Sequence, residues 1–162
     1  HEALVDCPMR HPKQDAGDDF FDSLNRTDYT GVDEFGRTSL HYAALGGIVD
    51  HMAKLLAADA SAVCVPDRRG WTPLHFAAQS GSAACVRMLL DHGAPVDATD
   101  EHGNTPLGRA VFESKGRGDV IALLRQSGAD PRLSNKHGVS PARLARTIAN
   151  YPVAQFFEDV VE

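Results

Sequence analysis

The chain has 162 residues, with 22 acidic and 16 basic side chains for a net charge of −6. That length suits one domain with a real core, and 43% hydrophobic residues exclude wholesale disorder. No apolar run approaches the ~18 residues of a membrane helix. The acids gather early: residues 1–31 hold seven against three bases, while the other 131 hold fifteen against thirteen. A nearly neutral body behind an acidic arm does not attract nucleic acid, so neither nucleic acid nor membrane is an expected partner. Cys7, Cys64 and Cys85 are odd in number and form no C-x-x-C pair, which argues against a disulfide framework and favours a reducing compartment. The expected location is cytoplasmic, or periplasmic had a signal peptide been removed ahead of His1; residues 1–16 themselves lack signal character.

Residues 1–31 read as an acidic arm and a capping element. Pro8 and Pro12 suit an extended arm, and Asp19-Phe-Phe-Asp-Ser-Leu24 predicts a short helix with Phe20, Phe21 and Leu24 turned inward. From there the chain repeats itself. Asp33-Glu-Phe-Gly-Arg-Thr-Ser-Leu-His-Tyr-Ala-Ala44 is followed by Asp67-Arg-Arg-Gly-Trp-Thr-Pro-Leu-His-Phe-Ala-Ala78, Asp100-Glu-His-Gly-Asn-Thr-Pro-Leu-Gly-Arg-Ala-Val111 and Asn135-Lys-His-Gly-Val-Ser-Pro-Ala-Arg-Leu-Ala145. Thr38, Thr72, Thr105 and Ser140 mark the period, 34, 33 and 35 residues apart.

Each copy predicts a turn and two helices. Gly36, Gly70, Gly103 and Gly138 fall where a tight turn needs positive φ. Thr72 can cap a helix whose first position is Pro73, and Leu74, Ala77 and Ala78 form a narrow apolar face. Val86, Leu89 and Leu90 give a second helix its thicker face, and Gly93 ends it. One copy cannot bury its own faces, so the stack is the core. The pattern resembles the ankyrin repeat, whose T-P-L-H-x-A signature stands intact at Thr72–Ala77. The resemblance implies an all-α repeat solenoid of helix-turn-helix pairs joined by hairpin-like turns. It divides residues 32–162 into four repeats, about 32–65, 66–98, 99–133 and 134–162. It also implies that His41 and His75 bond neighbouring repeats, a bond that Gly108 in the third copy cannot make. The third copy carries two extra residues, which put Lys115-Gly-Arg-Gly-Asp119 between its helices. In the fourth, Val153, Phe156 and Phe157 would face inward and Arg143, Arg146, Gln155, Glu158 and Asp159 outward, as in a terminal cap.

No catalytic signature is present, and neither a metal nor a cofactor is expected. There is no G-x-S-x-G, H-E-x-x-H or G-x-x-x-x-G-K-[ST]. His102 and His137 recur at one turn position, but the separation between repeats sets them too far apart for one zinc ion unless the side chains converge. Cys85 reads as a small core residue, and Arg117-Gly-Asp119 as a chance tripeptide.

The family resemblance implies a protein partner held on the concave face formed by turns and first helices. There the variable turn residues are Glu34, Phe35, Arg37, Arg68, Arg69, Trp71, Glu101, His102, Asn104, Lys136, His137 and Val139. The first helices continue the face with Tyr42, Leu45, Gln79, Phe112 and Glu113. Trp71 and Phe35 occupy positions the core does not require, among arginines, which is the composition of an interface hot spot. Asn135-Lys-His-Gly-Val-Ser-Pro, Thr147-Ile-Ala-Asn-Tyr151 and Phe156-Phe157 look like the ending of small bacterial ankyrin immunity proteins. That likeness implies a monomer that neutralises a toxin or effector enzyme one-to-one; the alternative is an adaptor that tethers its partner without inhibiting it.

Overall fold

The computed structural model describes residues 31–161; the acidic arm and the helix expected at Asp19–Leu24 lie outside them. Seven α-helices and two 3-10 segments follow, and there is no strand among the described residues. α1 (Ser39–Gly46) and α2 (Val49–Ala58) form the first pair, with a 3-10 turn at Ala60–Cys64 behind them. α3 (Pro73–Ser80) pairs with α4 (Ala83–Asp91), and α5 (Pro106–Glu113) with α6 (Asp119–Gln126). α7 (Pro141–Thr147) is followed by the 3-10 segment Val153–Phe157. First helices pack on first helices, α1 on α3 on α5 on α7, while α2, α4 and α6 form a second layer. This is an all-α solenoid.

The first helices approach closely because their contact faces are small. Ala43, Ala44, Ala77, Ala78, Ala110, Ala142 and Ala145 are all buried, and Leu40, Leu74 and Leu107 fill the space beneath them. The second helices contribute the bulk: Met52, Leu56, Val86, Leu89, Ile121 and Leu124 are buried between the layers. Cys85 is a buried free thiol within that layer. Cys64 is half-buried.

Each turn is built by one side chain. Oδ1 of Asp33, Asp67, Asp100 and Asn135 accepts the backbone N–H two and four residues on, at 2.8–3.0 Å. Asn135 serves as well as an aspartate because only one oxygen is used. The turn closes through a glycine at positive φ, +80° at Gly70, where a Cβ would stand 3.0 Å from Asp100 Cα. The turns also bond to one another: Arg68 N–H donates to Phe35 O, Glu101 N–H to Arg69 O and Lys136 N–H to His102 O, at 2.8–2.9 Å.

The end of the stack differs from expectation in one residue. Phe157 and Val153 are fully buried, but Phe156 is only half-buried and rests on the loop of the third pair. A Cβ at Gly118 would lie 1.9 Å from Phe156 Cζ, so the missing side chain makes the seat for this ring. The contact falls on the middle residue of the Arg117-Gly-Asp119 tripeptide, whose last residue opens α6, while Arg117 and Asp119 are exposed. Arg125 fastens the segment with two bonds to the Asp159 carboxylate (2.7 and 2.6 Å) and one to Phe156 O (2.7 Å). That guanidinium holds the Asp159 carboxyl down at about 2.

Phe157→Ala removes a fully buried ring and should cost about 3–5 kcal/mol, with Phe156→Ala costing clearly less. Gly118→Ala should cost about 1–3 kcal/mol by forcing the Phe156 ring off its seat. Urea denaturation of the three variants checks the order.

Candidate functional site

The site is the face made by the turns and the exposed side of the first helices. Residues at equivalent positions form rows across it. Tyr42, Phe76, Arg109 and Leu144 make one row, four residues after the capping hydroxyl; Leu45, Gln79, Phe112 and Thr147 make another, three residues further on. Phe112 is 62% exposed, Phe35 49% and Leu45 38%, while the leucines at the buried positions of α1, α3 and α5 are 1% or less. Three large apolar side chains thus stand in water on a face whose helices are otherwise well packed.

The aromatic and cationic residues do not stand separately. The Arg37 guanidinium carbon lies 5.0 Å from the Phe35 and Phe76 ring centres and 5.9 Å from Tyr42, and its Nε meets Asp67 at 3.2 Å. Trp71 packs 5.0 Å from Phe76, and Arg109 covers the indole at 4.4 Å. Trp71 is therefore half-buried against the core, not a free anchor. Its place next to a turn glycine suggested exposure; the arginine that closes over it comes from the following repeat. Phe76 and Arg109 belong to the same row as Tyr42, and their period of 33–34 residues was the signal that could have nominated them.

The remaining predicted residues divide between partnered and open. Asn104 is occupied structurally, with Nδ2 donating to Asp100 and Oδ1 accepting from Asn135 Nδ2. Arg69 donates to Glu101 at 2.7 Å, and His102 approaches the same carboxylate at 3.4 Å. The His102 and His137 rings converge to 6.4 Å, yet among the described residues no group of three potential ligands could hold a metal ion. Glu34, Arg68, Lys136 and His137 are exposed at the turns, and Gln79 and Glu113 are half-buried on the helices. Burial alone would raise the Asp100 carboxyl, but three hydrogen bonds from Asn104 and His102 outweigh it and hold the group below its ordinary value.

The face is held in register by two buried imidazoles. His41 Nε2 donates to Trp71 O at 3.0 Å, which leaves Nδ1 as an acceptor for the Thr38 N–H (3.0 Å) and hydroxyl (2.9 Å). His75 repeats the arrangement with Asn104 O and Thr72. Burial is the main force on both rings and lowers their pKa, to about 4 for His41. Each ring is neutral because the tautomer that makes both bonds has no second proton to place.

These features meet in one family. The sequence description of ankyrin repeats in three copies matches residues 15–100 and 49–135. The chain belongs to the ankyrin repeat family, whose members are protein–protein interaction modules. It is similar to the SMC5-SMC6 complex localization factor protein 1 of Bos taurus, 32% identical over 133 residues, 78% of this chain and 12% of that protein. It is also similar to SH3 and multiple ankyrin repeat domains protein 2 of Homo sapiens, 27% identical over 127 residues, 78% of this chain and 7% of that protein. The B-cell lymphoma 3 protein homolog of Mus musculus is 34% identical over 114 residues, 69% of this chain and 25% of that protein. The chain thus spans a quarter or less of the length of these relatives. Among the described residues, no helix is long and apolar enough to cross a membrane.

Two outcomes test the site's construction. Between pH 6.5 and about 4 the unfolded chain protonates His41 and the folded chain does not, so stability present above pH 6.5 is lost as pH falls. The loss by pH 4 should reach about 3 kcal/mol for His41, with His75 acting in the same direction, read as a falling urea midpoint. Trp71→Ala should cost about 2–3 kcal/mol of stability, because it empties the space between Phe76 and Arg109.

Proposed function

We propose that the chain is a protein-binding module that takes its partner on the concave face, one partner per monomer, without chemistry of its own. One observation carries this reading: Phe35, Leu45 and Phe112 are exposed together on the face that the aromatic and arginine side chains stiffen. Apolar anchors on a rigid base lose little entropy on binding, which is the physical basis of a hot spot. Glu34, Arg68, Arg69, Glu101, His102, Lys136 and His137 make a rim of both signs at the turns, while Gln79 and Glu113 flank Phe112. The rim selects partners by charge more than it adds affinity.

Two finer roles fit that surface, a tether and an inhibitor of a toxin or effector. The names of the similar proteins include a localization factor, which favours the tether. Inhibition as an immunity protein is supported only by the likeness of residues 135–157 to bacterial immunity proteins. We also assign α7 and the 3-10 segment after it to a fourth, terminal repeat, so that residues 32–162 form one repeat domain.

Affinity capture with the full chain, followed by calorimetry on the partner identified, tests the reading. Phe112→Ala should weaken binding by about 2 kcal/mol or more while the thermal midpoint stays put. Lys54→Ala and Arg87→Ala, exposed on the second helices, should be silent. The opposite pattern would move the partner to the back of the stack. A partner enzyme that loses activity in the complex would favour the inhibitor; one that retains it, the tether.

A further inference from the structure

Among the described residues three interfaces join neighbouring repeats, and an imidazole closes the first two. At the third, the position equivalent to His41 and His75 is Gly108. The polar groups that an imidazole serves elsewhere are nevertheless all in place. Thr105 is 1% exposed, and its hydroxyl oxygen accepts the Gly108 N–H at 3.2 Å. Its hydroxyl hydrogen and its backbone N–H, whose equivalents in Thr38 and Thr72 point at a histidine Nδ1, have no acceptor among the described residues. On the far wall, Val139 O accepts the Asn135 N–H at 3.0 Å, just as Trp71 O and Asn104 O accept from Asp67 and Asp100. Those two carbonyls each take a second bond from a histidine; Val139 O does not.

The repeats have not collapsed onto the glycine. The backbone bond between turns is 2.9 Å across the third interface, against 2.9 and 2.8 Å across the others. A Cβ at Gly108 would meet only Thr105 Oγ1 at 3.8 Å and Pro141 Cγ at 3.9 Å, ordinary contacts. The space left is a small notch open to solvent, lined by Gly103, Thr105, Gly108, Val139, Pro141 and Leu144 among others.

We propose that this notch is a binding site for one neutral imidazole ring. The ring's bare nitrogen would accept from Thr105, and its N–H would donate to Val139 O, the two bonds that His41 and His75 make within the chain. A benzene or alkyl group supplies neither bond, and an imidazolium has no bare nitrogen to offer. A buried N–H and a buried hydroxyl without acceptors are costly, and the ring relieves both. The ring can come from a histidine side chain of a partner or from a free azole. The site stands independently of the partner-binding reading.

Thermal denaturation of the full chain at pH 8 with millimolar imidazole tests it. The midpoint should rise by about 3 °C once imidazole reaches ten times its Kd. Amide resonances of Thr105, Gly108 and Ser140 should shift in the same titration. Gly108→His should raise the midpoint unaided and abolish the response to imidazole, whereas Gly108→Ala, the control for helix propensity, should not reproduce its gain. At pH 5, where imidazole is protonated, the response should vanish. N-acetylhistidine amide producing the same shift would assign the ring to a side chain; imidazole acting alone would assign it to free azoles. No response at pH 8, an undiminished response in Gly108→His, or one that persists at pH 5 would overturn the site.

Discussion

Everything in this molecule depends on one repeat being unable to bury its own faces. Helices of seven to ten residues are too short to persist alone, and each pair offers a thin apolar strip that only a neighbour can cover. The neighbour must therefore arrive in one register. Shape alone does not enforce it, because alanine faces slide on one another with little penalty. A backbone bond between turns does so at all three interfaces, and at the first two a buried imidazole adds to it, fixing the start of its own helix through the threonine and reaching one carbonyl of the next turn. Displacement by a fraction of a residue would strand a buried nitrogen without a partner.

That division of labour frees the surface. Because an aspartate or asparagine oxygen closes every turn from within, the residues at the tip are not needed to hold its shape. Glu34, Arg68, Glu101 and Lys136 can change the sign of a turn without altering its backbone. The first helices behave similarly: alanines face the neighbour, while the positions of Leu45, Gln79 and Phe112 face outward. The scaffold repeats and the recognition surface does not, which is how one fold serves unrelated partners.

The repeat, its turn glycines, the caps at the threonines and the alanine faces were legible in the sequence because they are local and periodic. The exposed row was legible for the same reason at Leu45 and Phe112. Trp71 was misjudged because its burial is decided by Arg109, 38 positions along the chain and carried by a different repeat. The seat of Phe156 was not legible, because it is the absent side chain of Gly118. Period and spacing say which residues share a row. They do not say which long side chain will lean across from the next one.

The arginines show why that lean matters for recognition. Arg37 and Arg109 are each balanced by a turn aspartate, Asp67 at 3.2 Å and Asp100 at 3.7 Å, so neither presents a full free charge. Their planar groups instead spread over Tyr42, Phe76 and Trp71, joining three repeats into one stiff layer beneath the exposed apolar side chains. A partner meeting Phe112 or Leu45 meets a surface already ordered by contacts between repeats, and it does not bear the entropy of arranging them. The register set by the bonds between turns and the buried histidines, and the rigidity of the binding face, are therefore one property. Loosening an interface between repeats would weaken binding on the palm without touching any residue that contacts the partner.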